Sequence, residues 1–364
     1  MRSARQGLLI VTAILAAFGV VMVYSSSAIY AQETYGDAGY FLKRHLFYLL
    51  VGVVGFFTVL GLEEGVIRRW AKPLMGIVLL LMVAVLIPGI GHRVSGARRW
   101  FKLGPVSFQP SEVAQVAVIL YMADVLTRKR SLLQDFFQGV LPVLMVLGLT
   151  VVLTLAEPDL GTSVATAVVA LLLLFIAGVR WQILLPMLLS ALPAVIVLVL
   201  TKPYRMRRVL AYLNPWADPE GSGFQLIQSL VALGSGGLFG VGLGESRQKL
   251  FYLPAAHTDF IFSVIGEELG FVGAIVTLIL IGCLCWYGIR VALSSPDAFG
   301  MLTGLGIVML LALETLVHVG VSTGAIPTKG LPLPFISYGG SALIVNLCSI
   351  AVLLNVARPR KVVA

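Results

Sequence analysis

Residues 253–260 read Leu253-Pro254-Ala255-Ala256-His257-Thr258-Asp259-Phe260, and an apolar run follows them to about residue 290. A run of this length is enough for a membrane-spanning helix, which needs about 20 residues. Asp259 therefore lies where the chain is predicted to enter the membrane. Capping the helix is the ordinary role of a carboxylate at such a position. Asp259 also ends a long polar, glycine-rich stretch at residues 202–258, and this position favours a functional role.

The composition excludes a soluble protein. Of the 364 residues, 59% are hydrophobic and 12% are charged, and the mean hydropathy is +0.98. Soluble domains carry about 25% charged residues. No segment is polar enough to form a separate soluble domain, so residues 1–364 are predicted to be a single polytopic membrane domain. The net charge of +9 suits an anionic lipid or substrate. The basic residues are scattered between apolar runs, which argues against a nucleic acid partner.

Apolar segments suitable for membrane-spanning helices occur along the whole chain. They lie near residues 8–30, 46–62, 73–90, 111–127, 138–156, 161–178, 181–201, 259–290, 300–325 and 340–357. The sequence thus predicts an all-α integral membrane protein with ten transmembrane helices and one large extracellular loop at about 202–258. An even number of spans places both termini on one side. When residues 202–258 are left out of the count, the side that holds the termini carries more Lys and Arg than the other side. This difference predicts that the termini are cytoplasmic.

Positive charge is concentrated at two places on the predicted outer surface. The candidate substrate-binding residues there are Arg98, Arg99 and Trp100 in the first group, and Arg205, Arg207 and Arg208 in the second. Solvated loop charge is one interpretation. The clustering favours a site for phosphate or pyrophosphate, because guanidinium groups bind such oxyanions in a bidentate manner. Gln225 is a further candidate, on a stretch typical of a helix that lies in the membrane interface.

Glu112 and Asp159 are two acidic candidates at predicted helix starts. Ser111 is the predicted N-cap of its helix, which places Glu112 in the first turn, where the helix dipole favours a carboxylate. Glu112 also faces the outer surface beside the first basic group. Asp159 follows Glu157 in a tight turn between spans. Capping of the next helix and binding of a cation or polar headgroup are both open for Asp159.

Charge within a predicted span is costly and marks a functional site. Four ionisable residues are candidates on this ground, namely Glu267, Glu268, Glu314 and His318. The last two are one helical turn apart, which favours a buried structural pair, with a proton relay as the alternative. The glycines between residues 234 and 244 fit a movable segment or backbone close to a ligand, since the phosphate-binding and dinucleotide motifs are missing there.

Several of these segments together resemble the SEDS family, the polytopic proteins of bacterial growth and division that include FtsW and RodA. The segments are residues 96–100, Gln109-Pro110-Ser111-Glu112, Glu157-Pro158-Asp159-Leu160-Gly161-Thr162, Asn214-Pro215, His257-Thr258-Asp259-Phe260-Ile261, Gly266-Glu267-Glu268 and Ile336-Ser337-Tyr338-Gly339-Gly340-Ser341. They span nearly the whole chain in family order. Residues 249–254 and 327–335 are more similar to the FtsW branch than to RodA.

The resemblance implies ten transmembrane helices and peptidoglycan glycosyltransferase activity on lipid II in cell division or elongation. It implies a class B penicillin-binding protein as partner, together with divisome or elongasome membrane proteins, in the bacterial cytoplasmic membrane and at the division site. Asp259 matches the family's essential aspartate, and Glu112 matches a position in the site beside it. The chain departs from the family at Gln115, which is usually Lys, and at Glu314 and His318, which are usually Gln and Asn.

The implied reaction joins the anomeric carbon of a lipid-pyrophosphate-linked glycan to the 4-hydroxyl of the next lipid II. An α-linked pyrophosphate becomes a β-1,4 bond, so the configuration inverts and one base is needed, which we assign to Asp259. The departing pyrophosphate needs positive charge, for which the five arginines above are candidates, with a divalent cation (Mg²⁺ or Mn²⁺) as a further expectation.

Two other functions are compatible with the sequence. A lipid II flippase needs polar residues that line a path through the membrane, and the four ionisable residues within the spans supply some. A non-catalytic scaffold that activates the penicillin-binding protein would tolerate the loss of Asp259. The carboxylate at the outer surface favours the enzyme over both.

Overall fold

The computed structural model describes residues 2–63, 65–94, 96–104, 106–250 and 252–358. The helices in this part of the chain are α1 (Arg2–Tyr35), α2 (Tyr40–Gly61), α3 (Val66–Leu86), α4 (Pro110–Arg128), α5 (Leu141–Ala156), α6 (Leu160–Ile176), α7 (Trp181–Leu200), α8 (Pro203–Leu213), α9 (Phe224–Ser235), α10 (Ile261–Leu293), α11 (Ala298–Ser322) and α12 (Gly340–Val356). The strands are β1 (His92–Val94), β2 (Ala97–Leu103) and β3 (Val106–Phe108).

The predicted membrane architecture is confirmed as an all-α, multi-pass fold. Each predicted span overlaps one helix, and the helices concerned are α1–α7 and α10–α12. Within the described residues, seven helices are long and apolar enough to cross a membrane, namely α1, α2, α3, α5 with the turn before it, α7, α10 and α11. Helices α6 and α12 are shorter, with 17 residues each. The count of ten spans therefore stays a prediction.

A small antiparallel sheet was not foreseen by the sequence analysis. Its strands lie in the order β1-β2-β3 between α3 and α4. Arg93 is opposite Arg98, and Phe101 is opposite Phe108. The register shifts between His92, opposite Trp100, and Arg93, opposite Arg98. Arg99 is thus the extra residue of a bulge in β2.

The segment at residues 202–258, predicted as a loop, contains the two helices α8 and α9. The amphipathic pattern of α9 is explained by packing on α10 and α11. The Ser229 hydroxyl donates to the carbonyl oxygen of Ser322 at 2.7 Å, and Ser229 Oγ lies 2.6 Å from Ser263 Oγ. One face of α9 thus rests on helices of the bundle.

Helix α10 is broken at Gly270, whose φ of 68° and ψ of −168° suit glycine alone. The break frees backbone groups that would otherwise bond along the helix. The chain after α9 satisfies them, because the Phe271 N–H donates to Gly237 and the Val241 N–H donates to Glu267. Apolar surroundings require such internal partners. The glycine run after α9 therefore lies against the break in α10.

Glu267 and Glu268, beside the break, are both bonded within the protein. Glu268 Oε1 lies 2.9 Å from Lys249 Nζ, and the Ser25 hydroxyl donates to both Glu268 oxygens. Glu267 accepts from the Arg247 N–H at 2.9 Å and from the Ser246 hydroxyl. Lys249 and Glu268 have side chains only 4% and 0% exposed. These charges anchor the chain that leads to Asp259.

Replacing Gly270 with alanine should lower the thermal unfolding temperature of the purified protein in detergent. A Cβ there would lie 2.3 Å from the backbone nitrogen of Gly240, and the backbone strain costs on the order of 1–3 kcal/mol. Gly282→Ala is the matched control, because its Cβ would meet nothing within 4 Å and alanine favours a helix. Equal unfolding temperatures for the two variants would contradict the assigned role of the break.

Candidate active site

The candidate site lies where α4, α6 and α10 begin. Asp259 lies two residues before α10, with its backbone N–H donating to Ala255 at 3.0 Å. Phe260 occupies the N-cap position of α10, and no side-chain hydrogen bond from the described residues caps this helix. Capping therefore does not account for the half-buried carboxylate of Asp259.

The connection between α11 and α12 closes against Asp259. A Cβ on Gly330 would lie 2.5 Å from Asp259 Oδ2, so a larger residue there would displace the carboxylate from its observed position. The Ser337 hydroxyl donates to the carbonyl oxygen of Thr258 at 2.7 Å. The Tyr338 N–H donates to the carbonyl oxygen of His257 at 2.9 Å. These bonds fix the backbone that carries Asp259.

His257, next to this backbone, packs in an aromatic cluster. Its ring centroid is 4.5 Å from that of Phe41 and 5.8 Å from that of Tyr338. Burial lowers the pKa of His257 to about 4, so its imidazole is neutral at physiological pH. This packing gives His257 a structural role beside Asp259.

Asp159 caps α6, which is one of the two roles that the sequence left open, and it also contacts two side chains. Its Oδ1 accepts from the Thr162 N–H at 3.0 Å and so caps α6. Its Oδ2 lies 3.3 Å from Arg99 Nη1 and 3.3 Å from Gln109 Nε2. Asp159 thereby links β2 and the start of α4 to the start of α6, and it brings Arg99 into the site.

Glu112 lies in the first turn of α4, as predicted, but the N-cap is Gln109 and not Ser111. Ser111 instead accepts a hydrogen bond from the Gln109 amide at 2.8 Å. The preceding segment ends as strand β3, and Pro110 occupies the first helical position, which moves the cap back by two residues. Glu112 Oε2 is buried and has no hydrogen-bond partner among the described residues. It therefore offers an acceptor inside the site.

Glu157 is a second carboxyl group in the site and is 0% exposed. Neither of its oxygens has a hydrogen-bond partner of ordinary geometry in the described part of the chain. Burial and, to a lesser extent, the charge of Asp159 raise the pKa of Glu157 to about 8, while Ser111 and Arg99 oppose the shift. Glu157 is therefore mostly protonated at neutral pH.

The groups around Asp259 shift the pKa of its carboxyl in opposite directions. Burial raises the pKa of the Asp259 carboxyl, and the Thr258 hydroxyl lowers it. The positive charges of Arg208 and Arg99 also lower it, while the negative charge of Asp159 raises it. The carboxylate, two arginines and a second acid thus form one electrostatic group.

Lys329 joins this group and was not foreseen as a site residue. Burial lowers the pKa of Lys329, the charge of Asp159 raises it, and Arg205 and Arg208 lower it. The run at residues 327–335 resembled the FtsW branch, but no charge pattern tied it to Asp259. Only the folding of the α11–α12 connection brings Lys329 and Gly330 to the site.

Only some of the predicted basic residues lie close to Asp259. Arg99 and Arg208 act on Asp259, and Arg208 Nη1 donates to the carbonyl oxygen of Thr328 at 3.3 Å. Arg205 is buried and donates to the Tyr204 hydroxyl and the Leu198 carbonyl oxygen, which joins α7 to α8. Arg207 is exposed.

The other predicted binding residues do not pair with Asp159. Within the described part of β2, Arg99 makes this ion pair, and Arg98 and Trp100 do not. Gln225 is half-buried at the second position of α9. The sequence alone does not predict the strand from which Arg99 reaches Asp159.

Glu314, His318 and Gln115 line the buried side of the same region. His318 Nδ1 lies 2.8 Å from the carbonyl oxygen of Leu331, within the α11–α12 connection. His318 Nε2 and Gln115 Nε2 are buried without hydrogen-bond partners among the described residues. His318 thus contacts the backbone near Gly330.

The described residues hold no group of three or more His, Cys, Asp or Glu side chains that could bind a metal ion. Protein ligands alone therefore do not form the expected Mg²⁺ or Mn²⁺ site there. Magnesium is commonly bound by one or two carboxylates together with substrate phosphates. The expected cation stays a prediction.

Comparison with known proteins identifies the family. The family described as "Cell cycle protein", that of FtsW, RodA and SpoVE, matches residues 5–362. The chain belongs to the FtsW/RodA/SpoVE family. A member from Geobacter sp. (strain M18), named "Probable peptidoglycan glycosyltransferase FtsW", is 48% identical over 349 residues, which cover 96% of this chain and 95% of the relative.

Two solved structures of similar proteins support the same family. A chain from a peptidoglycan synthase complex is 34% identical with a TM-score of 0.80, and the match covers 97% of both chains. RodA from Thermus thermophilus is 31% identical with a TM-score of 0.73, and the match covers 96% of this chain and 95% of RodA. The all-α membrane fold predicted from the resemblance is thus confirmed.

Replacing Asp159 in this family member should separate its two contacts. Asp159→Asn keeps an oxygen that can cap α6 but loses the charge that pairs with Arg99, whereas Asp159→Ala loses both. We expect the alanine variant to be less stable than the asparagine variant by roughly 1 kcal/mol. Thermal unfolding in detergent measures the difference. Equal destabilisation would show that capping contributes little.

Proposed function

We propose that this chain is a peptidoglycan glycosyltransferase that polymerises lipid II into β-1,4 glycan strands during cell division. The observation that carries the proposal is the half-buried Asp259 carboxylate, which does not cap its helix and lies within the field of Arg99 and Arg208. The names of the relatives and the closer resemblance to the FtsW branch support division over elongation.

Asp259 is the base in this proposal. It accepts the proton of the acceptor 4-hydroxyl while the new bond to the anomeric carbon forms and the bond to the pyrophosphate oxygen breaks. Burial raises the pKa of the Asp259 carboxyl, and a carboxylate with a raised pKa is a stronger base. Glu157 is mostly protonated at neutral pH and is therefore a donor of hydrogen bonds to substrate, not a second base.

The cations of the site stabilise the undecaprenyl pyrophosphate as it leaves. Arg99, Arg208 and Lys329 are the best placed, because each acts electrostatically on Asp259 or on Asp159. Arg205 holds the α7–α8 junction and acts at longer range. The remaining candidates contact parts of the substrate away from the reacting centre; they are Arg98, Trp100, Arg207 and Gln225. A Mg²⁺ or Mn²⁺ ion that arrives with the pyrophosphate would add positive charge.

We further propose a class B penicillin-binding protein as the partner, with other divisome membrane proteins, at the division site. The match to a chain of a peptidoglycan synthase complex supports a partner that acts in the same pathway. The distribution of Lys and Arg supports cytoplasmic termini and an extracellular position for α8, α9 and Asp259.

The flippase and scaffold hypotheses are weaker. Glu267 and Glu268, which were candidates for a polar path, are engaged by Ser25, Lys249 and the chain near Arg247. A scaffold would not need a carboxylate that is set apart from helix capping and surrounded by cations.

Removing the carboxylate charge of Asp259 should abolish most of the activity. We expect Asp259→Asn to lower the rate of lipid II polymerisation by about 10²–10⁴-fold, as for loss of a general base. Purified protein with its cognate penicillin-binding protein would be assayed with the transpeptidase inhibited. Asp218→Asn, an exposed position in the same segment, is the control and should stay active. Activity of Asp259→Asn near the control would refute the assignment of the base.

Removing Arg208 should shift the acidic limb of the pH profile to higher pH. The Arg208 charge lowers the pKa of Asp259, so Arg208→Gln raises that pKa and protonates the base at a higher pH. Arg207→Gln, at the adjacent exposed position, should leave the limb in place. The measurement is kcat/KM against pH for both variants. A shift to lower pH, or equal shifts in both variants, would contradict this coupling.

A further inference from the structure

A basic cavity lies at the opposite end of the bundle from Asp259. Its volume is about 320 Å³, and it opens where α3 and α5 begin and α4 ends. Its lining residues are Lys72, Tyr121, Val125, Arg128, Lys129 and Pro142. Three cations from two helices and a connection thus face one cavity. Neither the proposed reaction nor the polar stretch at residues 202–258 uses these residues.

The buried carboxylate of Asp124 lies next to two of these cations and positions them. Asp124 has a side chain that is 0% exposed, and its Oδ1 lies 2.7 Å from Arg128 Nε. Lys72 Nζ lies 3.9 Å from Asp124 Oδ2, and Arg68 Nε lies 3.0 Å from Asp124 Oδ1. Lys129 Nζ donates to the carbonyl oxygen of Gln138 at 2.8 Å. Asp124 therefore orients two cations of the cavity without neutralising all three.

Aromatic side chains place the cavity at the depth of lipid headgroups. Trp70 is 56% exposed and lies two residues before Lys72 on α3. Phe137 is 74% exposed and precedes Gln138, the residue that Lys129 contacts. Exposed tryptophan next to lysine and arginine is typical of the boundary between membrane and water. A ligand in this cavity would thus have its charge at that boundary and its apolar part in the bilayer.

We infer that this cavity binds the phosphate group of an anionic phospholipid. Lys72, Arg128 and Lys129 supply charge-assisted hydrogen bonds to the phosphate oxygens, and the Tyr121 hydroxyl is a further donor. Basic pockets between transmembrane helices are known to hold such headgroups. A free phosphate would meet the same cations, but the position of the cavity at headgroup depth favours the lipid.

Native mass spectrometry of the full-length purified protein in detergent tests this inference. The probes are dioleoyl phosphatidylglycerol, dioleoyl phosphatidylcholine and inorganic phosphate, each titrated separately. The test variant is Lys72→Gln with Lys129→Gln, which leaves Arg68 and Arg128 paired with Asp124. The control variant is Arg180→Gln with Arg290→Gln, which removes the same charge at exposed positions of the same bundle end.

We expect wild type to bind phosphatidylglycerol more tightly than phosphatidylcholine. The test variant should bind phosphatidylglycerol roughly 30-fold more weakly, since two lysines near an anionic lipid are lost. The control variant should bind as wild type does. Equal losses in both variants would overturn the inference, because the binding would then be a general surface effect. Binding of inorganic phosphate in place of the lipid would overturn the lipid assignment.

A further variant separates loss of the site from loss of the fold. Lys72→Arg with Lys129→Arg keeps both charges and should retain the preference for phosphatidylglycerol. The thermal unfolding temperature of every variant is measured, and it should equal that of wild type if the fold is intact. If the arginine variant folds but loses the lipid as fully as the glutamine variant, cation charge is not the basis of binding and the inference fails.

Discussion

Backbone groups in an apolar environment must find partners within the protein, and this constraint organises the region before Asp259. Helix α10 breaks at Gly270, and the carbonyl and N–H groups released there are satisfied by residues 237–242. The buried pair of Lys249 and Glu268 holds the next part of the same connection. A connection between helices thereby becomes a fixed support, and the chain reaches Asp259 from a defined position.

The candidate site is assembled from parts that are distant in sequence. Strand β2 presents Arg99 to Asp159, the start of α8 presents Arg208, and the α11–α12 connection brings Lys329 and Gly330 beside Asp259. Each part is held by bonds that do not involve a substrate. Such prior positioning reduces the reorganisation needed when charge develops during a reaction.

The membrane fold and Asp259 were predictable from sequence, because apolar length and an acidic residue at a membrane boundary are local signals. Glu112 and Asp159 were also recognisable from their helix starts. The sequence does not predict that Arg99, and not Arg98, pairs with Asp159, since this pairing depends on a short strand that no apolar pattern marks. Lys329 was missed because its contribution depends on how a proline-rich connection returns to α10. The structural role of Glu268 was not predictable either, because it depends on where folding places Lys249 and Ser25.

The bonds from Ser337 and Tyr338 to the backbone of Thr258 and His257 have a mechanical consequence. They attach the backbone beside Asp259 to the segment that leads into α12. Arg208, in contrast, is carried by α8. A displacement of α8 would therefore change the distance between Arg208 and the carboxylate without moving the backbone of Asp259, so the electrostatic environment of this residue can be adjusted from α8.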